Sequence, residues 1–313
     1  IDCESLTSVN LSSVNNIEYS AFQGCTSLTS VVFGGTNLTI TITVFQGCTS
    51  LRTLDFTNVS GTLNINDNAF QDADNNLTSV VFGGTNLIII TDAFNLNTSL
   101  RTLDFTNVSG TLTISNSAFS NIISLTSVNF GTRTDLDIGE SAFLNTGIKS
   151  LDFTNVSGTL TISEKAFQGC TNLTSVNFGT RTDLIISSEA FHTAIRLTSV
   201  NFGTITNLTI NNNAFQDANI ESLDFTNVSG DLTINNSAFA YMNNILTSVV
   251  FGGTNLIIEN NAFESDKTKS YIESLDFTNV SGDLTINTSA FKNNSGLTSV
   301  IFGSSNTSVT FGN

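Results

Sequence analysis

An Ala-Phe pair, Val-Phe in one case, recurs along the whole chain. Its ring falls at Phe22, Phe45, Phe70, Phe94, Phe119, Phe143, Phe167, Phe191, Phe215, Phe239, Phe263 and Phe291. The intervals are 23 to 25 residues until the last, which is 28. A second ring closes each L-x-x-[VL]-x-F segment, at Phe33, Phe56, Phe82, Phe105, Phe130, Phe153, Phe178, Phe202, Phe225, Phe251, Phe277 and Phe302. The two columns take 24 of the 25 phenylalanines, so the repeat runs through the entire core. One unit, from Leu28, reads LTSVVFGGTNLTITITVFQGCTS, with Leu28, Val31, Phe33, Leu38, Ile40, Val44 and Phe45 as its inward side chains. About seven apolar side chains per unit cannot enclose a core alone, so neighbouring units must stack to bury them.

The segment around Val31 and Phe33 is β-branched and alternates in and out, which predicts strands near 30–33, 53–56, 79–82 and onward to 299–302. Gly34-Gly35, or Thr57 to Gly61 in alternate units, supplies the following turn, and a second apolar pair (Leu38 and Ile40) marks another short extended segment. The Ala-Phe-Gln-Gly-Cys-Thr stretch is too short for a full helix and reads as a helical turn. Units with LDFTNVSG alternate with VVFGGT or VNFGTRT units, a double repeat of roughly two coils. No linker or composition shift divides the chain, so residues 1–313 are expected to form a single domain. Glu264–Ser270, with Lys267 and Lys269, lengthens one turn and reads as a surface loop.

The segments AFQGCTSL at Ala21–Leu28, VFQGCTSL at Val44–Leu51 and AFQGCTNL at Ala166–Leu173 resemble the BspA-like leucine-rich-repeat family. The resemblance covers essentially the whole chain. It implies a leucine-rich-repeat solenoid, right-handed, of about twelve coils, with one parallel β-sheet face and short extended or turn segments on the other sides. It also implies a non-enzymatic surface protein, often adhesive. Two departures touch only turn and core details: Gly or Thr stands where the family often has Pro after the strand, and only four units keep the cysteine.

Composition narrows the function. With 39% hydrophobic and 12% charged residues the chain is not disordered. A net charge of −16 repels phosphate backbones, so no nucleic-acid partner is expected, and no apolar run is long enough to span a membrane. The single histidine excludes two-histidine metal sites. His192 follows Phe191 with Glu189 nearby and no partner motif, and reads as an exposed turn residue. Cys3, Cys25, Cys48 and Cys170 share one phase of the repeat, which points to a small buried slot. Buried thiols are the favoured reading, while a single bridge, Cys3–Cys25 or Cys25–Cys48, stays open. No catalytic, cofactor or metal constellation emerges.

The outward strand positions form the candidate interaction face. One column is hydroxyl throughout: Ser30, Thr53, Ser79, Thr102, Ser127, Ser150, Ser175, Ser199, Ser222, Ser248 and Ser274. A second carries Asp55, Asp104, Asp152, Asp224 and Asp276. Carboxylates mostly two coils apart stand roughly 10 Å from one another, too far to share a proton and too sparse for calcium. They read as a spaced acidic column that avoids like-charge contact. Asn58, Asn107, Asn155, Asn227 and Asn279 lie in the same T-N-V-S-G turn as N-x-S sequons, open to glycosylation on a eukaryotic secretory route. The expected role is extracellular or cell-surface binding of a protein partner or of the chain itself. The alternative is a structural subunit assembling head to tail through uncapped ends. A chain that opens inside a repeat, without an initiator Met, is expected to be a processed product or a portion of something longer.

Overall fold

The computed structural model describes residues 3–71, 76–242, 246–266 and 272–312. The chain divides into two compact units, 1–149 and 150–313. Each is a parallel-strand β-solenoid. Between them they hold about twelve turns, with no helix among the described residues.

Each coil contributes two strands. In the first unit Ser8–Leu11 pairs with Ser30–Phe33, and Thr53–Asp55, Ser79–Val81, Thr102–Asp104 and Ser127–Asn129 follow one another in parallel. The second unit repeats the pattern with Ser150–Asp152, Ser175–Asn177 and Ser199–Asn201, then with Leu223–Asp224, Ser248–Gly253, Ser274–Val280 and Ser299–Phe302. The predicted strand positions are therefore met, and pairing sets each residue on its repeat equivalent. Leu54, for example, lies against Val80 and Val80 against Leu103, all three buried, while Thr53 and Asp55 face outward. That is the period-two alternation of a half-buried strand. The second apolar segments pair as well, from Asn16–Ile17 through Leu38–Ile40, Thr62–Ile65, Asn86–Ile89 and Leu112–Ile114 to Leu136–Ile138 in the first unit. In the second unit they run from Leu160–Ile162 to Ser308–Phe311.

The Ala-Phe segment is not the helical turn expected. Ser20, Thr43 and Asn68, each two residues before the ring, have φ of 53 to 55°, and Gly24, Gly47 and Leu96, each two residues after it, have φ of 64 to 73°. Left-handed residues at those two points interrupt the right-handed run that a helical turn requires. The amides then alternate in destination. Ala21, Gln23 and Cys25 bond three residues back, whereas Ser20, Phe22 and Gly24 bond across to Ile42, Val44 and Gln46 of the next coil. The turn is thereby stitched to its neighbour, as the strands are.

Both ring columns are buried except on the outermost coils, where Phe22 and Phe291 are half-buried and Phe302 is exposed. Cys25, Cys48 and Cys170 are buried thiols in the shared slot, and no disulfide joins any of the four cysteines. Cys3 departs from the expectation. It neighbours Cys25 but is exposed. The lengthened turn begins inside rather than on the surface: Glu264 and Ser265 are buried, and Glu264 Oε1 lies 2.7 Å from Lys292 Nζ. Lys267 and Lys269 lie outside the described residues.

Candidate interaction face

The hydroxyl column is real and in register. Thr53, Ser79, Thr102 and Ser127 pair in sequence in the first unit, as do Ser150, Ser175 and Ser199, and Ser248 and Ser274, in the second. Ser30, Thr53, Thr102, Ser127, Ser150, Ser199 and Ser222 are exposed, while Ser79, Ser175, Ser248 and Ser274 are half-buried. Asp55, Asp152 and Asp224 are exposed, with Asp104 and Asp276 half-buried. A shallow groove of about 320 Å³ brings Ser30, Val32, Thr53, Asp55 and Asn58 together at one edge of this face. All five turn asparagines, Asn58, Asn107, Asn155, Asn227 and Asn279, are exposed.

Each aspartate has a structural task that its spacing did not reveal. Its Oδ1 accepts the backbone N–H two residues on, from Thr57, Thr106, Thr154, Thr226 and Thr278, at 2.8 to 3.0 Å. Asn10, Asn129, Asn177 and Asn201 cap the equivalent turns of other coils through their Oδ1 atoms. The column is thus a set of Asx turns that launch the chain out of the strand.

A further charged column escaped the sequence reading. The residue before the hydroxyl column is exposed in each of these coils and is Arg52, Arg101 and Lys149 in the first unit, but Glu221 and Glu273 in the second. Backbone bonds from Thr78 N to Arg52 O, Arg101 N to Thr78 O, Thr126 N to Arg101 O and Lys149 N to Thr126 O hold the first file together. Thr298 N and Glu273 N continue the second, to Glu273 O and Thr247 O. The signal was in the repeats of one kind: R-T-L-D-F twice and K-S-L-D-F once, against E-S-L-D-F twice. On one scaffold, the first unit alternates cation and carboxylate, and the second doubles its carboxylates.

His192 is not the exposed residue expected. It is half-buried, with Nδ1 2.9 Å from Gln168 Nε2 and Nε2 3.4 Å from Asp217 Oδ2 one coil on. This cross-coil bridge ties polar turn residues together. Two arginines are also inside: Arg133 donates from Nε to Phe130 O at 2.6 Å and from Nη2 to Phe105 O at 3.2 Å, and Arg181 Nη2 donates to Phe153 O and Phe178 O. Burial lowers both guanidinium pKa values. They seal a corner of the core where other coils place valine.

No helix among the described residues is long and apolar enough to cross a membrane. No protein of curated function matches the sequence significantly. Among solved structures, a leucine-rich repeat protein from Bacteroides ovatus is 16% identical over 98% of this chain and 76% of the other, with a TM-score of 0.39. A leucine rich cell surface protein from Faecalibacterium prausnitzii is 17% identical over 95% of this chain and 79% of the other, with a TM-score of 0.29. The Toll–Spatzle complex of Drosophila is 15% identical over 82% of this chain and 48% of the other, also with a TM-score of 0.29. The model of the BspA type leucine rich repeat region matches residues 1–101, 88–221, 136–269 and 208–312. With nearly every residue under that model, the chain belongs to the BspA-type leucine-rich repeat family.

Proposed function

We propose that the chain is a non-catalytic, surface-exposed repeat protein, extracellular or on the cell surface, whose 313 residues work as one adhesive binding module. The observation that carries the reading is the in-register outward face. Hydroxyl groups repeat on every coil, flanked by charged side chains on the L-D-F coils, with Val32 and Ile301 as exposed apolar side chains in the outward column. Hot spots at tight interfaces favour Trp, Tyr and Arg. A face built mainly of short polar side chains, with Arg52, Arg101 and Lys149 as its long exceptions, holds its partner weakly per contact and gains strength by repetition.

The test separates charge from turn capping. Changing Asp55, Asp104, Asp152, Asp224 and Asp276 together to Asn keeps an Oδ1 acceptor for each turn and removes five charges. Beads coated with the parent chain and with the variant are compared for retention on a panel of immobilised extracellular proteins. Retention that drops about tenfold or more with unchanged melting supports the reading. Identical retention of both, or retention of neither, rejects it.

A second reading, assembly by stacking of coils end on end, rests on the last coil. Val300, Phe302 and Phe311 are 43%, 42% and 63% exposed there, around a cavity of about 330 Å³ lined by Phe277, Phe291 and Leu297. An exposed apolar surface of this kind fits a second copy of the chain. Phe311→Lys should abolish concentration-dependent association in sedimentation while leaving melting intact. Unaltered association in that variant would remove this reading.

A further inference from the structure

We propose that the Arg52–Arg101 face of one copy docks on the Glu221–Glu273 face of a second copy. The inference rests on the binding-face reading and names a partner for it. Arg52 and Arg101 are exposed and separated by one intervening strand, Ser79–Val81. Glu221 and Glu273 are likewise exposed and separated by one intervening strand, Ser248–Gly253. Alternate strands of a parallel sheet lie about 9.6 Å apart, so both files carry the same charge spacing by construction. A foreign partner has to match that spacing by accident, whereas a second copy carries it in its own repeat. When the coils of the two copies run in opposite directions, Arg52 meets Glu273 while Arg101 meets Glu221.

The neighbouring aspartates do not cancel the match. Asp55 and Asp104 are held against their own backbone by the turn bonds to Thr57 and Thr106, while the arginine side chains are long and reach outward. Opposite them, Asp224 and Asp276 make the same turn bonds, to Thr226 and Thr278, so on both faces the long side chains of the outer file are the groups that reach a partner. In these columns of the second unit Glu221, Asp224, Glu273 and Asp276 place four carboxylates on two coils. The hydroxyl column between them gives both surfaces short side chains, so the backbones approach closely enough for charge pairs to form.

The overall charge of −16 opposes self-association, and this makes the experiment decisive. Sedimentation equilibrium is run on the full chain at about 0.1 M and about 0.5 M salt, where the Debye length falls from ~10 Å to ~4 Å. The expected result is a dimer weakened about tenfold or more by the added salt, since several exposed pairs of modest strength are lost together. Glu221→Arg with Glu273→Arg moves the net charge from −16 to −12. General repulsion then predicts tighter association and the proposal predicts weaker. Arg52→Glu with Arg101→Glu should also weaken it. All four changes in one chain return the net charge to −16 and should restore the dimer. Equal mixtures of the two double variants should associate with each other better than either does with itself.

A chain that is monomeric at both salt concentrations overturns the proposal, a basic foreign protein then being the occupant to seek. Association strengthened by salt, the behaviour of the apolar last coil, overturns it as well. Neither result touches the adhesion reading, which is tested on foreign proteins with the aspartate variant. Circular dichroism on each variant confirms that these exposed substitutions leave the fold in place.

Discussion

The two ring columns inside the coils pack differently. On the turn side the centroids from Phe22 to Phe143 are 5.1 to 5.4 Å apart, and those from Phe167 to Phe291 span the same range, with interplanar angles of 1 to 11° throughout. On the strand side the spacing alternates. It is 4.5, 4.7, 4.9 and 4.6 Å for Phe33–Phe56, Phe82–Phe105, Phe202–Phe225 and Phe251–Phe277. It is 6.2, 6.2, 6.0 and 6.0 Å for Phe56–Phe82, Phe105–Phe130, Phe153–Phe178 and Phe225–Phe251. The short step leads into an F-T-N-V-S-G coil and the long step leads out of one, except at Phe277–Phe302, where the step out is 5.4 Å. Phe178–Phe202, which joins two coils of one kind, sits between at 5.7 Å. Every turn-side ring is preceded by the same local backbone, whereas the strand-side ring is followed by turns of different kinds. The two-coil period is therefore written in the turn after the strand and reaches the core as a ring spacing.

The largest expected difference between the columns comes from emptying them. Phe215 has stacked neighbours at 5.1 and 5.2 Å and an edge contact with Phe202 at 6.3 Å. Phe225 has one close stacked neighbour at 4.9 Å, a distant one at 6.0 Å and an edge contact with Phe239 at 6.3 Å. Phe→Ala in a packed core costs ~3–5 kcal/mol. Phe215→Ala should fall at the top of that range and Phe225→Ala at the bottom, because the looser stack has less contact to lose. Urea titration of both variants gives the ranking, and a reversed order would show that ring spacing does not control it.

A pH-dependent difference comes next, on the turn side alone. Three residues after the ring, Cys48 Sγ lies 3.1 Å from Phe22 O in the coil before, and burial pushes its thiol up to about 12. Below the ordinary thiol range folded and unfolded chains both hold the proton, so the stability is fully present. Above pH ~9 the unfolded chain ionises first, and stability is lost at up to ~1.4 kcal/mol per pH unit until about 12. Cys48→Ala should flatten part of the decline across that window. Parallel curves for the parent and the variant would remove the thiol from the account.

Some of this was legible in the residues and some was not, for identifiable reasons. The Phe columns and the strands at Ser30–Phe33 or Thr102–Asp104 follow from period-two burial, which any reading of L-x-x-V-x-F recovers. The slot three residues after the turn-side ring was recognised as small and weakly polar. Its donors were not foreseen: in other coils Asn97 Nδ2 and Asn294 Nδ2 reach the carbonyls of Phe70 and Phe263, at 2.9 and 2.7 Å. The left-handed backbone at Ser20 or Thr43 is carried by ordinary residues that do not announce it, because cross-coil bonds from their amides to Ile42 and Asp67 stabilise it. On the candidate face, the hydroxyl and aspartate columns were visible, while the Asx bonds and the Arg-to-Glu exchange required coils of one kind to be laid over each other.

A smaller effect sharpens the strand-side alternation. A Cβ on Gly252 would come within 2.5 Å of Phe225 O, the step where the rings are 6.0 Å apart. Gly252→Ala should cost ~1–3 kcal/mol, since backbone must yield. It should also widen that step, visible in a crystal structure as a Phe225–Phe251 separation above 6.0 Å. An unchanged separation at full stability would detach the alternation from the turn.

The smallest effect concerns the arginine corner, where the strand-side turn takes a third form. Arg181 occupies the place that Val156 and Val228 fill in F-T-N-V-S-G coils, three residues after the ring. In those coils the valine N–H bonds the Phe carbonyl of its own coil, from Val156 to Phe153 O and from Val228 to Phe225 O, both at 3.0 Å. In the arginine coil the backbone N–H of Arg181 goes instead to Thr204 O, and the guanidinium serves Phe178 O in its place. Two opposing quantities follow for a substitution. Removing the charge relieves the desolvation that lowers the guanidinium pKa, while two carbonyls each lose a donor. Arg181→Met, close in length and apolar, should therefore leave stability within about 1 kcal/mol of the parent. Arg181→Lys keeps a buried charge on a group that cannot fork between Phe153 O and Phe178 O, so it should be the more damaging change despite its chemical likeness. Thermal melts of the two variants side by side give the order. Lys better tolerated than Met would mean that charge, rather than the shape of the fork, closes this corner.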